Sequence, residues 1–79
     1  MKNYVIQVQN HALGGRYLEG TRTPKQVKKH GYGFTQELQY AWRFGSQAAA
    51  ANKARIVAKH MSWPISNLRI DWQREVPQP

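Results

Sequence analysis

At 79 residues, with no cysteine, the chain has room for one small core and no disulfide or thiolate metal site to supplement it. Twelve Lys and Arg against four acids give a formal net charge of +8, which favours an anionic partner: nucleic acid, an acidic protein surface or, less readily, a membrane. No apolar run approaches the length of a membrane span, and the opening MKNYVIQVQN alternates instead of forming a signal-peptide core, so a soluble, unprocessed, cytoplasmic protein is expected.

Taken in order, Asn3 to Gln9 alternates, with Tyr4, Ile6 and Val8 on one side, and predicts a half-buried strand. Gly14 and Gly15 permit a tight reversal, and Arg16 to Glu19 is the return arm of the hairpin. From Thr21 to Gly33 two readings stand. Thr23 and Pro24 are a helix start and Gly31 a stop, giving two turns, but only Val27 would be buried, so a mobile basic loop competes. Next, Leu38, Tyr40, Trp42 and Phe44 alternate with polar residues and alanine as a strand would; alternatively Thr35 caps one helical turn to about Ala41, leaving Trp42 to Phe44 extended. Leu38, Trp42 and Phe44 are core candidates either way.

The strongest periodic signal runs from Gly45 to Met61. Ser46 is an N-cap, and Ala50, Ala54, Val57 and Met61, with Ala51 and Ala58 beside them, form one apolar stripe of a helix whose far side carries Asn52, Arg55 and Lys59. Pro64 ends it, and Leu68, Ile70 and Trp72 alternate as a last strand. Residues 74–79 carry two prolines and are expected to form a loosely ordered tail.

The fold class that follows is α+β: a single domain over 1–79, with a small antiparallel sheet of three or four strands and one main helix packed on one face. Tyr4, Ile6, Val8, Leu18, Trp42, Phe44, Ala54, Val57, Met61, Leu68, Ile70 and Trp72 are the predicted core, and Trp72→Ala is expected to cost about 3 to 5 kcal/mol. Open sheet edges and an alanine surface leave room for a homodimer while the charge opposes one, so a monomer or weak dimer is expected.

Nothing assembles a metal or catalytic site. His11, His30 and His60 are not spaced as ligands on one helix, Glu19, Glu37, Asp71 and Glu75 form no acid–base pair in an apolar setting, and Ser46, Ser62 and Ser66 occupy caps and turns. A protein that is not an enzyme and uses no cofactor is the expectation.

The basic residues are the informative constellation. Arg22, Lys25, Lys28 and Lys29 lie in the Arg16 to His30 stretch, which holds half the net charge, and Arg43, Lys53, Arg55, Lys59 and Arg69 follow with no acid between Glu37 and Asp71. Arg55 and Lys59, with Asn52 one turn earlier, make a stripe suited to phosphates or carboxylates. The ordinary alternative is a solvated helix face. Tyr32 belongs to GlyTyrGlyPhe at 31 to 34, which resembles the glycine and aromatic run on the third strand of RNA-recognition motifs. The chain departs from that family by having Glu37 where another aromatic would stand and a hairpin where a full helix would, and a glycine-flanked tyrosine leading into a strand accounts for it equally.

The larger pattern, TyrValIleGlnVal, GlyArgTyrLeu, PheThrGlnGluLeu, then AlaTrpArgPheGlySer leading into an alanine-rich helix and LeuArgIle, resembles that of very short phage-encoded proteins, some of them anti-CRISPR inhibitors. The resemblance implies a non-enzymatic inhibitor in the cytoplasm of the host. Its partner would be a host protein or nucleoprotein effector complex, met through the basic surface to block nucleic-acid engagement. A small basic DNA- or RNA-binding accessory protein, touching nucleic acid directly, is the alternative. Neither reading involves a membrane.

Overall fold

The computed structural model describes residues 3–73. The expectation for residues 74–79 lies outside them. Four strands, β1 (Tyr4–Val8), β2 (Tyr17–Leu18), β3 (Phe34–Thr35) and β4 (Leu68–Trp72), form one antiparallel sheet in the order β3-β2-β1-β4. Helix α1 (Pro24–His30) joins β2 to β3, helix α2 (Gln47–Met61) precedes β4, and single 3-10 turns occupy Leu38–Tyr40 and Ile65–Asn67. This is the α+β arrangement the sequence predicts, with four strands.

The register explains the core. Ile6 pairs with Ile70 and Val8 with Leu68 on one face of the sheet, while Val5 opposite Asp71 and Gln7 opposite Arg69 take the other. On the first face, Ile6, Val8, Leu18, Phe44 and Leu68 meet Ala50, Ala54, Val57 and Ala58 of α2 in one cluster. Fully burying side chains such as Ile6, Leu18 or Val57 stabilises by about 1.5–3 kcal/mol each. Helix α2 starts where Ser46 allows: its Oγ accepts from the Ala49 N–H at 3.1 Å. It stops at Ser62, whose left-handed backbone (φ 57°) turns the N–H back onto the Ala58 and Lys59 carbonyls. Arg16 and the turn around Gly15 close the β1–β2 hairpin as expected: the Val8 N–H donates to the Arg16 carbonyl at 2.8 Å, and Gly15, at φ 89°, puts its N–H on the Val8 carbonyl at 2.9 Å.

Three expectations change. The alternation from Leu38 to Phe44 is not one strand: Leu38–Tyr40 is a helical turn, as the second reading had it, and only 41–44 is extended. That segment wedges between the ends of two strands, the Trp42 N–H donating to the Leu18 carbonyl at 2.7 Å while Phe44 exchanges backbone bonds with Tyr4 at 2.8 and 3.2 Å. Gly20 makes the approach feasible, since a Cβ there would stand 2.7 Å from the Trp42 Cα. Leu38 is half-buried outside the main cluster and Tyr40 is exposed. Trp72 sits on the expected face but is 58% exposed, because it closes an edge strand and has a strand neighbour, Tyr4, on one side only. Val5, assigned to no core by the alternation, is fully buried on the face away from α2.

Candidate functional site

The stretch with two competing readings is a helix. Thr23 and Gln26 form a reciprocal capping box: the Thr23 Oγ1 accepts from the Gln26 N–H at 3.2 Å and the Gln26 side chain accepts from the Thr23 N–H at 2.8 Å. Gly31, at φ 78°, closes the other end with its N–H on the Val27 carbonyl at 2.7 Å. Arg22 then fastens the end to the start, its guanidinium donating to the Gly31 carbonyl at 2.8 Å while lying against Gly33, where a Cβ would come within 2.9 Å of Nε. A seven-residue helix with one apolar residue is held by these caps and by what Val27 faces.

Val27 and Pro24 face a cleft of about 260 Å³ whose other walls are Arg22, Tyr32, Trp42 and Lys53. Lys53 projects from α2 toward it, with Nζ 4.7 Å from the centre of the Trp42 ring and 6.0 Å from that of Tyr32. The Trp42 ring is braced by a near-parallel stack on Phe44, with centroids 5.6 Å apart, and Tyr32 by an edge-on contact to His60 at 5.3 Å. Two cations thus share a pocket with two rings, and no carboxylate lines it. Among the described residues none comes within salt-bridge distance of Lys53. Cation–π contacts of this kind contribute about 0.5–1 kcal/mol at exposed sites.

The predicted basic residues separate into distinct places. Lys25, Lys28 and Lys29 are exposed on α1, beside the cleft that Arg22 and Lys53 line. Arg55, Lys59 and Asn52 are exposed on the outer side of α2, where Arg55 donates to the Asn52 Oδ1 at 3.1 Å and Ile56 stands 48% exposed beside them. Lys53 does not belong to that stripe. Arg43 is half-buried and donates to the Gln39 carbonyl at 3.4 Å. Arg69 lies on the face of the sheet opposite α2, bonded to Asp71 at 2.9 Å and to Gln7 at 3.1 Å. The hydrogen bond and negative charge of Asp71 raise the Arg69 guanidinium above its ordinary range. Tyr32 is a wall of the cleft, half-buried, instead of an exposed stacking platform.

Sequence reasoning assigned Trp42 to the core alone, and gave Pro24 and Val27 structural roles only, as a helix start and as the one buried residue of a short helix. The usable signal was the lone apolar residue of a capped basic helix, which has to face something. Among the described residues no group of histidine and carboxylate side chains is arranged to hold a metal ion. His11 packs on Trp63 at 4.5 Å, as His60 does on Tyr32. No helix among the described residues is long and apolar enough to cross a membrane.

Comparison with protein-family models, with curated proteins and with solved structures returned no match to this chain. Chemically, the cleft offers positive charge beside flat apolar walls, and its lining contains no carboxylate, histidine or serine.

Proposed function

We propose that this chain is a small binding protein for single-stranded nucleic acid. A phosphate sits between Lys53 and Arg22, its neighbouring base lies against Tyr32 and Trp42, and Lys25, Lys28 and Lys29 neutralise the phosphates that follow. The observation that carries the reading is the Lys53 ammonium, poised over an indole ring in a cleft with a second cation and no acid. Aromatic walls beside a basic track are how single strands are held without sequence preference, each stacked base contributing about 1–3 kcal/mol. The bound strand quenches tryptophan fluorescence, and log affinity falls with log salt at a slope of about −0.7 for each phosphate neutralised. Titration of a labelled oligothymidine and of a duplex of equal length, at several salt concentrations, tests it. Absent binding, or equal affinity for duplex at every salt concentration, sinks the reading.

One observation favours a second reading, an inhibitor of the anti-CRISPR type that acts by protein contact. Ile56 is exposed on α2 beside Arg55 and Lys59, and an apolar side chain flanked by cations on a rigid helix suits an acidic protein surface better than a nucleic-acid backbone. Its test is inhibition of target-DNA binding by a panel of purified guide-RNA-loaded effector complexes, in a host cytoplasm the intended setting. Inhibition lost in the Arg55→Glu, Lys59→Glu double variant and retained in Lys53→Met supports this reading over the first.

A further inference from the structure

We propose that β4 is a dimerisation edge: two copies pair β4 against β4, antiparallel about Ile70, and join their four-stranded sheets into one of eight. The inference is independent of the cleft. Strand β4 ends the sheet, with β1 on one side and no strand of the described residues on the other. Its five residues pair with β1 without a break in register. Edges that avoid association carry a proline, a bulge or unmatched charges; LeuArgIleAspTrp has no proline and no bulge, and its two charges, Arg69 and Asp71, are of opposite sign and can complement a second copy.

The hydrogen-bond phase of the edge is defined. The Gln9 N–H donates to the Asn67 carbonyl and the Gln73 N–H to the Asn3 carbonyl, each at 2.7 Å, on either side of the five registered pairs. Asn67, Arg69, Asp71 and Gln73 therefore turn their backbone polar groups toward β1, and by alternation Leu68, Ile70 and Trp72 turn theirs outward. Antiparallel pairing of that edge with itself must match outward residues with outward residues, which permits a centre at 69, 70 or 71. Centring on Arg69 or on Asp71 sets a charge against its own copy. Centring on Ile70 sets Arg69 of each copy against Asp71 of the other, twice, in the closely spaced positions between backbone bonds, where opposite charges attract most.

The same two-fold disposes of exposed apolar surface. Trp72, 58% exposed at one end of β4, comes opposite Leu68 of the second copy, at the strand end that Ile65 precedes, itself 52% exposed. The interface repeats one patch against itself, as closed two-fold dimers require. Five residues a side and a charge of +8 on each copy make the association weak, so it forms at sub-millimolar concentration and is helped by salt that screens the net repulsion.

The experiment is sedimentation equilibrium at about 0.15 M salt, where the screening length is about 8 Å. The wild-type chain is expected to move from 9.2 kDa toward twice that mass as concentration rises. Arg69→Asp places acids at both positions and Asp71→Arg places arginines at both, so each variant alone is expected to stay monomeric. Mixed in equal amounts they are expected to dimerise. Neither variant retains the ion pair within the chain, so recovery on mixing reports contact between copies. Circular dichroism establishes that both variants fold. A wild-type mass of 9.2 kDa throughout overturns the proposal without reference to any variant. So does a dimer that survives in both single variants, or a mixture of folded variants that stays monomeric.

Discussion

The ammonium of Lys53 lies 4.7 Å from the centre of the Trp42 indole, so a charge carried on α2 is held above a ring delivered by the extended segment that crosses the sheet. Replacing it by Lys53→Met keeps the stem and removes the charge. Stability is expected to fall by about 1 kcal/mol or less, the usual worth of such a contact. Affinity for oligothymidine is expected to fall about tenfold or more, the value of one charge-assisted hydrogen bond. Thermal melts alongside the salt titration check both; an unchanged affinity would move the binding surface off the cleft.

The exposed Trp72 and the fully buried Ile6 make opposite predictions from the same sheet face. Ile6→Ala is expected to cost about 2–5 kcal/mol, a large part of what a domain of this size possesses. Trp72→Ala is expected to cost about 1 kcal/mol or less in the monomer, well below the value its alternation suggested, because most of its surface already meets water. Urea denaturation at low protein concentration separates them, and equal midpoints would contradict this placement of β4.

Arg22 closes α1 from outside the helix. Arg22→Ala is expected to unlatch it, raising amide hydrogen exchange across residues 24–31 while the β1 and β4 amides keep their protection. Arg22→Lys is expected to restore little, because a flexible ammonium does not reproduce a planar guanidinium laid against Gly33. Unaltered exchange in the alanine variant would assign the closure to the capping box alone.

Gly20 stands where two backbones nearly touch. A methyl group there meets the Trp42 Cα at 2.7 Å, and the obstacle is main chain with no rotamer to yield. Gly20→Ala is expected to destabilise by about 1–3 kcal/mol and to shift the tryptophan emission, since the strained segment carries Trp42. A melt indistinguishable from wild type would mean the segment relaxes freely.

Ser62 offers the reverse case. Its left-handed φ of 57° is uncomfortable for a side chain, so Ser62→Gly is expected to stabilise by about 0.5–1 kcal/mol, read as a rise in melting temperature. A decrease would show that serine contributes something glycine lacks.

Much of the fold was legible because its signals were local and redundant. Ser46, the alanine stripe and Pro64 each bounded α2 independently, and Ile6, Val8, Leu68 and Ile70 alternated as strands do. Leu38 to Phe44 misled because a helical turn followed by an extended segment presents nearly the same alternation over seven residues, and the choice is made by backbone bonds to Leu18, Gly20 and Tyr4, distant in sequence. Trp72 misled because periodicity gives a face and says nothing of whether the strand lies at an edge, with a neighbour on one side only. The cleft was hardest to see. Its walls come from Arg22, Val27, Trp42 and Lys53, brought together by packing with no motif to announce them, and composition revealed only that cations would be somewhere on the surface.

Three of the four α2 side chains buried against the sheet are alanines. Unfolding therefore hydrates little hydrocarbon from the helix side, and the heat-capacity increment is expected at the low end of about 12–15 cal/mol/K per residue. At about 0.7 kcal/mol per residue, the described residues correspond to an unfolding enthalpy near 50 kcal/mol, which spreads the thermal transition over a wide interval. The free energy of the folded state then changes slowly with temperature. A thin, methyl-lined interface makes this a protein of modest stability that stays nearly constant from cold to warm, in contrast to one that is sturdy at a single optimum.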